Sequence, residues 1–260
     1  ISIHDYRGPP MLKRAVADAT GIGNVLVERY GFKTQNIKLL LNAEATRSRI
    51  EGALIRLARE AGPHDSVMVY YAGHGQYSDD SQLAWWVPAD GSLEEPGTWI
   101  LDAAIRNYIA AMRAQHVYII ADSCFSGNLF AQTRGILPPV TDKYYAKLYS
   151  KRSRWAFTSG STEPVADQGR DGHSVFAYHL IKLLKENDEP YLIPSRIADQ
   201  VIPLVARNAE QMPRSQPLQG ANDEGGQFIF QLASVSPKTS PVEQEQKPKR
   251  QDRPPFVGGF

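Results

Sequence analysis

The only cysteine of the chain, Cys124, stands at the end of an apolar run and is the residue best suited to nucleophilic chemistry. It lies in the stretch YIIADSCFSG, where an acid and a serine precede it and a Phe-Ser-Gly turn follows it. A second apolar run ends in AGHGQ, which places His74 between two glycines. A thiol is a strong nucleophile only as the thiolate, and a neighbouring imidazole can take its proton or protonate a leaving amine. The pair therefore predicts cysteine-based nucleophilic catalysis, provided that the fold brings the two loops together.

The glycines beside these residues have a predicted role of their own. Gly73 and Gly75 allow a sharp turn and leave backbone N–H groups free, and Gly127 lets the chain turn away after the nucleophile. The N–H groups of Gly75 and Cys124 are the candidates for holding an oxyanion.

Each of the two residues also has an ordinary structural interpretation. A single cysteine after an apolar strand is usually a small buried hydrophobe, and a single histidine in a loop is usually polar surface. Their occurrence at the ends of two separate strands favours function for His74 and Cys124. We expect the remaining histidines to be polar surface: His4, His64, His116, His173 and His179.

Predicted strands and helices alternate along the first half of the chain. Apolar runs predict strands at residues 36–41, 66–71 and 116–121, and helical periodicity predicts helices between them. The second half predicts a strand at residues 155–158, helices at 174–185 and 195–208, and a last strand at 227–231. This alternation indicates an α/β fold with a mostly parallel sheet and helices on both faces. Ligands bind such sheets at the carboxyl ends of the strands, where both loops are expected.

Composition excludes several classes of partner. The chain has 260 residues with 42% apolar and 22% charged residues, which suits a globular protein with one large or two small domains. A net charge of +1 and the lack of a long apolar run give no reason to expect nucleic acid or a membrane. One cysteine can form neither an internal disulfide nor a CxxC zinc site. This leaves the compartment open, with a reducing, cytoplasmic one mildly favoured.

Together, YYAGHG and DSCFSG resemble the caspase-like cysteine peptidases, specifically the metacaspase and bacterial caspase-like (orthocaspase) branch. The 50-residue separation of His74 and Cys124 is also that of the caspase pattern. Further similarities are His4-Asp5-Tyr6, LKRAVADA in the first helix and VPAD at residues 87–90. The resemblance covers residues 1–232.

The resemblance implies a three-layer sandwich around a sheet of about six strands. Residues 1–130 would be the large-subunit-like part and residues 153–232 the small-subunit-like part of one peptidase domain. The connecting loop at 128–153 would then offer self-cleavage sites at Arg134, Lys151 and Arg152, although a merely solvated basic loop is the alternative. The Pro-, Lys- and Gln-rich tail at 234–260 is expected to be disordered, either as a linker or as a docking segment for a regulatory partner.

The resemblance also implies the substrate class. Caspases proper have Gln-Ala-Cys where this chain has Asp122-Ser123-Cys124, and an acid at that position implies a pocket for Arg or Lys. An acid at a desolvated pocket pairs with a cation and repels an anion. Asp18 matches a second acid of the pocket, and Asp167 falls where caspases carry an arginine. Ordinary surface acids are the alternative for Asp18 and Asp167.

No metal or organic cofactor is required for this chemistry. Many metacaspases depend on calcium held by several acids, but the matching loop here offers Asp102 without an adjacent acid, and Ala131 replaces another. Calcium wants several oxygen ligands, so calcium activation is disfavoured.

The sequence thus predicts a cysteine endopeptidase that acts on protein or peptide substrates after Arg or Lys. Two alternatives stay open. One is the same dyad with a different specificity or an acyl-transfer role, and the other is a signalling or scaffold module with little turnover.

Overall fold

The computed structural model describes residues 1–4, 6, 11–92, 94–123, 141–160 and 169–233. The helices are α1 (Ala15–Tyr30), α2 (Arg47–Glu60), α3 (Asp102–Ala111), α4 (Asp142–Tyr149), α5 (Val175–Glu186) and α6 (Pro194–Asn208). The strands are β1 (Ser66–Ala72), β2 (Gly75–Ser78), β3 (Leu83–Trp86), β4 (Ile100–Leu101), β5 (His116–Asp122), β6 (Ser153–Thr158), β7 (Tyr191–Leu192), β8 (Arg214–Pro217) and β9 (Phe230–Gln231).

The central sheet has the strand order β1–β5–β6–β8 in the described part of the chain. Strands β1, β5 and β6 are parallel, and β8 pairs with β6 in the antiparallel sense. Strand β5 is buried along its whole length, as expected for a strand that is covered on both faces. The predicted α/β architecture with a mostly parallel sheet is confirmed.

Two apolar cores lie on opposite faces of this sheet. Alternate residues of β5 point to opposite faces, so Tyr118 and Ile120 pack with α1, α5 and α6. Val117 and Ile119 pack into the other core with α2 and α3. The molecule is therefore a helix–sheet–helix sandwich, in which β5 is an inner strand of the sheet.

Several sequence predictions about elements differ from the structure. Residues 36–41 were expected to form a strand, but residues 34–36 form a 3₁₀ turn and only Leu41 makes a bridge, to Ser2. Ser2 also bridges Ala72, so two short segments flank β1 without becoming full strands. For this reason the described central sheet has four strands where about six were expected.

The remaining differences are short elements. A small antiparallel sheet, β2–β3–β4, follows the His74 loop, and helix α4 lies within residues 128–153, which were expected to form a connecting loop. The predicted last strand is reduced to β9, which pairs with β7 outside the central sheet. Residues 124–140 and the tail from residue 234 lie outside the described residues. No helix in the described ranges is long and apolar enough to cross a membrane.

Candidate active site

The loops that carry His74 and lead to Cys124 leave the sheet side by side. Strands β1 and β5 pair in parallel with Ala72 opposite Asp122, and the Gly73 N–H donates to the Asp122 carbonyl at 3.3 Å. The sequence expectation that these two strands are neighbours is confirmed. Cys124 itself lies outside the described residues, so its pairing with His74 stays a prediction.

Two tyrosine hydroxyls hold the backbone of His74. The His74 N–H donates to the Tyr6 hydroxyl at 2.6 Å, and the Tyr71 hydroxyl donates to the His74 carbonyl at 2.7 Å. The Tyr6 ring also lies 4.8 Å from the imidazole, centroid to centroid. Tyr71 is in turn stacked on Trp86 at 4.0 Å. The loop is therefore held from both sides by aromatic side chains that are themselves packed.

Glycine is required at position 73 because there is no space for a side chain, and not because of an unusual backbone conformation. A Cβ at this position would lie 2.6 Å from the hydroxyl oxygens of both Tyr6 and Tyr71. The next glycine, Gly75, begins β2 and pairs with Trp86. The predicted oxyanion role of the Gly75 and Cys124 N–H groups stays a prediction.

Two of the three predicted substrate-binding acids come together at the same sheet edge. Asp122 is 6% exposed, and its Oδ2 accepts a hydrogen bond from Ser174 Oγ at 2.6 Å. Asp18 in α1 is 2% exposed and accepts from the Ser174 N–H at 3.3 and 3.4 Å. Ser174 therefore lies between the two carboxylates. Neither is an ordinary surface acid.

The two carboxylates affect a common neighbour. Burial raises the pKa of the Tyr70 hydroxyl well above its ordinary value, and the charges of Asp122 and Asp18 raise it further. The hydroxyl has no hydrogen-bond partner among the described residues. The phenol is therefore neutral, and both carboxylates lie close enough to Tyr70 to raise its pKa.

Sequence reasoning missed the contribution of His173. Its Nδ1 lies 2.8 Å from Asp18 Oδ1, and its side chain is only 19% exposed, so the surface assignment was wrong. Burial lowers the pKa of His173 and Lys185 lowers it further, while Asp171 raises it. A hydrogen bond to the Asp18 carboxylate requires that Nδ1 carry a proton and donate it. The sequence carried no signal for this contact, because Asp18 and His173 belong to distant elements.

The surface assignment was also wrong for His116. It is fully buried, with Nδ1 3.1 Å from Ser66 Oγ and Nε2 2.9 Å from the Tyr149 carbonyl. It lies at the first residue of β5, at the opposite end of that strand from Asp122. His64 is exposed, as predicted.

The candidate self-cleavage sites differ in what surrounds them. Arg134 and the third acid, Asp167, lie outside the described residues. The Arg152 N–H donates to Glu224 Oε2 at 3.3 Å, and its carbonyl accepts from the N–H groups of Glu224 and Gly226. Cleavage at Lys151 or Arg152 would therefore first require release of this backbone.

The predicted independence from calcium stays a prediction. The described residues contain no group of three or more His, Cys, Asp or Glu side chains that could hold a metal ion. Asp102 is buried at the start of α3, and burial raises the pKa of its carboxyl to about 7. A calcium ion needs several oxygen ligands, and one buried acid does not supply them.

Comparison with known proteins identifies the family. The profile of the caspase domain, a family of cysteine-type peptidases, matches residues 1–219. The chain belongs to the caspase-domain family. This caspase-domain chain is 30% identical over 146 residues to Metacaspase-6 of Arabidopsis thaliana, which covers 51% of the chain and 38% of that protein. It is 25% identical over 179 residues to Metacaspase-1 of Eremothecium gossypii, covering 62% of the chain and 40% of that protein.

Solved structures show the same caspase fold. A crystallised protein from Geobacter sulfurreducens matches 84% of this caspase-domain chain and 90% of its own length, with a TM-score of 0.57 and 18% identity. Caspase-1 from Spodoptera frugiperda matches 84% of the chain and 89% of its own, with a TM-score of 0.55 and 13% identity. The predicted resemblance to caspase-like proteins and metacaspases is confirmed.

Proposed function

We propose that the protein is a cysteine endopeptidase that cleaves proteins or peptides after Arg or Lys. The observation that carries the proposal is the parallel pairing of β1 with β5. It sends the His74 loop and the residues before Cys124 to one sheet edge, beside two buried carboxylates. Family membership supports peptidase chemistry, and the two buried acids support the basic specificity.

The mechanism assigns a role to each group. The Cys124 thiolate attacks the scissile carbonyl, and the N–H groups of Gly75 and Cys124 hold the oxyanion. His74 gives a proton to the leaving amine, which departs and leaves a thioester on Cys124. Water, activated by His74, then hydrolyses the thioester and returns the free thiol.

Asp122 and Asp18 support the preference for a basic side chain. Both are buried, both accept hydrogen bonds, and they share Ser174 as a neighbour. A guanidinium or ammonium group would neutralise this acidic edge, whereas an aspartate side chain would add to the repulsion. Asp167 is a third candidate acid.

We further propose that the protein needs no calcium and that self-cleavage occurs first at Arg134. The described residues contain no group of three or more His, Cys, Asp or Glu side chains that could hold the ion. Arg152 has both backbone groups hydrogen-bonded next to β6, so its peptide is poorly suited to enter a protease site while the fold is intact.

The test is cleavage of fluorogenic peptides that differ only in Arg, Lys or Asp at the cleaved bond. We expect Arg and Lys peptides to be cut, Asp peptides to resist, and Cys124→Ala to abolish turnover, with equal rates in calcium and in chelator. Cleavage after Asp would overturn the acidic pocket but keep the dyad. Turnover that survives in Cys124→Ala would overturn the enzyme mechanism. A folded wild-type protein without any turnover would favour the scaffold alternative.

A further inference from the structure

Ser174 occupies a position that gives each buried carboxylate a hydrogen-bond donor. Its N–H lies 3.3 and 3.4 Å from the two oxygens of Asp18, and its Oγ lies 2.6 Å from Asp122 Oδ2. The same Oγ accepts from the Ala177 N–H at 3.0 Å and so caps helix α5. Because a backbone N–H can only donate, the hydroxyl proton is left for Asp122.

His173 gives Asp18 a second donor and is itself held in place. Its Nδ1 lies 2.8 Å from Asp18 Oδ1, and its carbonyl accepts from Arg14 Nη1 at 3.2 Å. The ring packs so closely on α1 that a Cβ at Gly21 would lie 3.0 Å from its Cε1. The imidazole therefore has little freedom to turn away from Asp18.

These donors oppose the tendency of neighbouring buried acids to take up a proton. Burial and a like charge nearby both favour the neutral form of a carboxyl group. Hydrogen bonds to the charged form, and the positive end of the 12-residue helix α5, favour the ionised form. An ionised pair attracts a substrate cation, whereas a protonated acid does so much less.

We propose that His173 and Ser174 are positioning residues of the basic-side-chain pocket, which hold Asp18 and Asp122 as ionised acceptors and thereby set the preference for Arg and Lys. This inference rests on the proposed function, because it needs both acids to face the substrate. It assigns specificity to two residues that do not themselves contact the reacting atoms.

The test compares two peptides that differ only in Arg or citrulline at the cleaved bond. Citrulline has the shape of arginine without its charge, so the ratio of the two kcat/KM values measures the charge of the pocket. In Ser174→Ala we expect KM for the Arg peptide to rise about ten-fold, with kcat changed less than about two-fold and the ratio lowered accordingly. Ser174→Thr keeps the hydroxyl and should restore the ratio.

The histidine is tested in the same way. His173→Phe keeps a ring but removes the donor to Asp18, and should lower the Arg-to-citrulline ratio about ten-fold. His173→Asn retains an N–H donor and should recover part of the ratio. A residue with a merely structural role would change stability or kcat without changing the ratio.

Two matched controls separate pocket effects from loss of stability. Thr46→Ala removes the cap of α2, where the Thr46 side chain accepts from the Arg49 N–H, and His179→Phe changes another histidine, on α5. Both should leave the ratio unchanged. An equal fall in Thr46→Ala would overturn the inference, because it would show that any lost helix cap has the same effect.

The outcomes distinguish this inference from the proposed function. A wild-type preference for Arg that persists in Ser174→Ala and His173→Phe would overturn the inference alone. A wild-type protein that does not prefer Arg would overturn both. If turnover is absent, binding of peptides ending in Arg or citrulline to the Cys124→Ala protein gives the same ratio by calorimetry, with the same outcomes.

Discussion

At the scale of single residues, two tyrosines and a serine position the candidate catalytic and binding side chains. Tyr6 and Tyr71 hold the backbone of His74, and Ser174 holds Asp18 and Asp122. None of these three residues was singled out from sequence as functional. The sequence around a tyrosine or serine does not show which group its hydroxyl or N–H will contact, because the partner comes from a distant part of the chain.

Tyr6→Phe is predicted to impair catalysis more than substrate binding. The change leaves the His74 N–H without its acceptor at 2.6 Å while the ring contact is kept. A small shift of a catalytic group has a large effect on rate, so we expect kcat to fall about 10- to 100-fold with KM for an Arg peptide nearly unchanged. Steady-state kinetics give both constants.

The rate of alkylation of Cys124 by iodoacetamide, measured as a function of pH, gives a second measurement. A displaced His74 should shift this pH–rate profile, because a neighbouring imidazole favours the thiolate. Tyr30→Phe is the matched control, since the Tyr30 hydroxyl is a hydrogen-bond donor to the Leu184 carbonyl away from the site. Wild-type kcat in Tyr6→Phe would show that the contact does not position His74.

At the scale of elements, a buried arginine ties the end of α3 to the start of β6. The Arg154 guanidinium donates to the carbonyls of Met112, Ala114, Gln115 and Ser153. The side chain is fully buried, and burial lowers the pKa of Arg154 to about 10. From the sequence alone, Arg154 could not be distinguished from the other basic residues in and beside the connecting loop.

Arg154→Met is predicted to destabilise the protein strongly. Methionine fills most of the volume but leaves four carbonyls without this donor. Three of these contacts are buried, and each of the three lost costs about 1 kcal/mol or more. We expect the free energy of unfolding in urea to fall by at least about 3 kcal/mol. Arg113→Met, at an exposed position nearby, should change it by less than about 0.5 kcal/mol. Equal effects of the two substitutions would contradict the assigned role.

Strands were predicted correctly from sequence where a whole run of residues is buried. β1 and β5 are apolar runs covered on both faces, and such runs are recognisable without a structure. Residues 36–41 have a similar apolar pattern but do not pair with β1. Among the described residues, Leu41 forms a single bridge, to Ser2. The short strands β2, β3 and β4 depend on pairing with one another and have no strong pattern of their own.

At the scale of the whole molecule, the site is assembled from distant parts of the chain. Asp18 comes from α1, Asp122 from β5 and Ser174 from the residue before α5. The pairing of β5 with β6 joins the residues before the long connection to those after it. A cut within the connection would therefore leave both parts joined through the sheet.

The contribution of Asp102 to the stability of the molecule is predicted to fall as pH rises from about 4 to 7. Burial raises the pKa of Asp102 from 3.8 to about 7, although Arg106 partly offsets this shift. Within that window the folded state keeps a proton that the unfolded state has lost, so each pH unit removes up to about 1.4 kcal/mol. Asp102→Asn removes this dependence and should be more stable than the wild type at pH 8.

Urea unfolding at pH 4, 6 and 8 measures the difference directly. The two proteins should be nearly equal in stability at pH 4 and diverge as pH rises. A constant difference across this range would contradict a buried, protonated Asp102. Glu60→Gln, at an exposed position in α2, is the control for simple loss of an acid.

The sequence by itself determined the class of chemistry and the central strands. Cys124, Asp122 and the glycine-flanked His74 can be recognised locally, from their residue type and their position after an apolar run. Only the tertiary structure decided what surrounds them: the Tyr6 and Tyr71 contacts of His74, the buried Arg154, and the contacts of His173 and Ser174 with the acids. These contacts join residues far apart in the chain, and their strength comes from burial, which no local pattern of residues records.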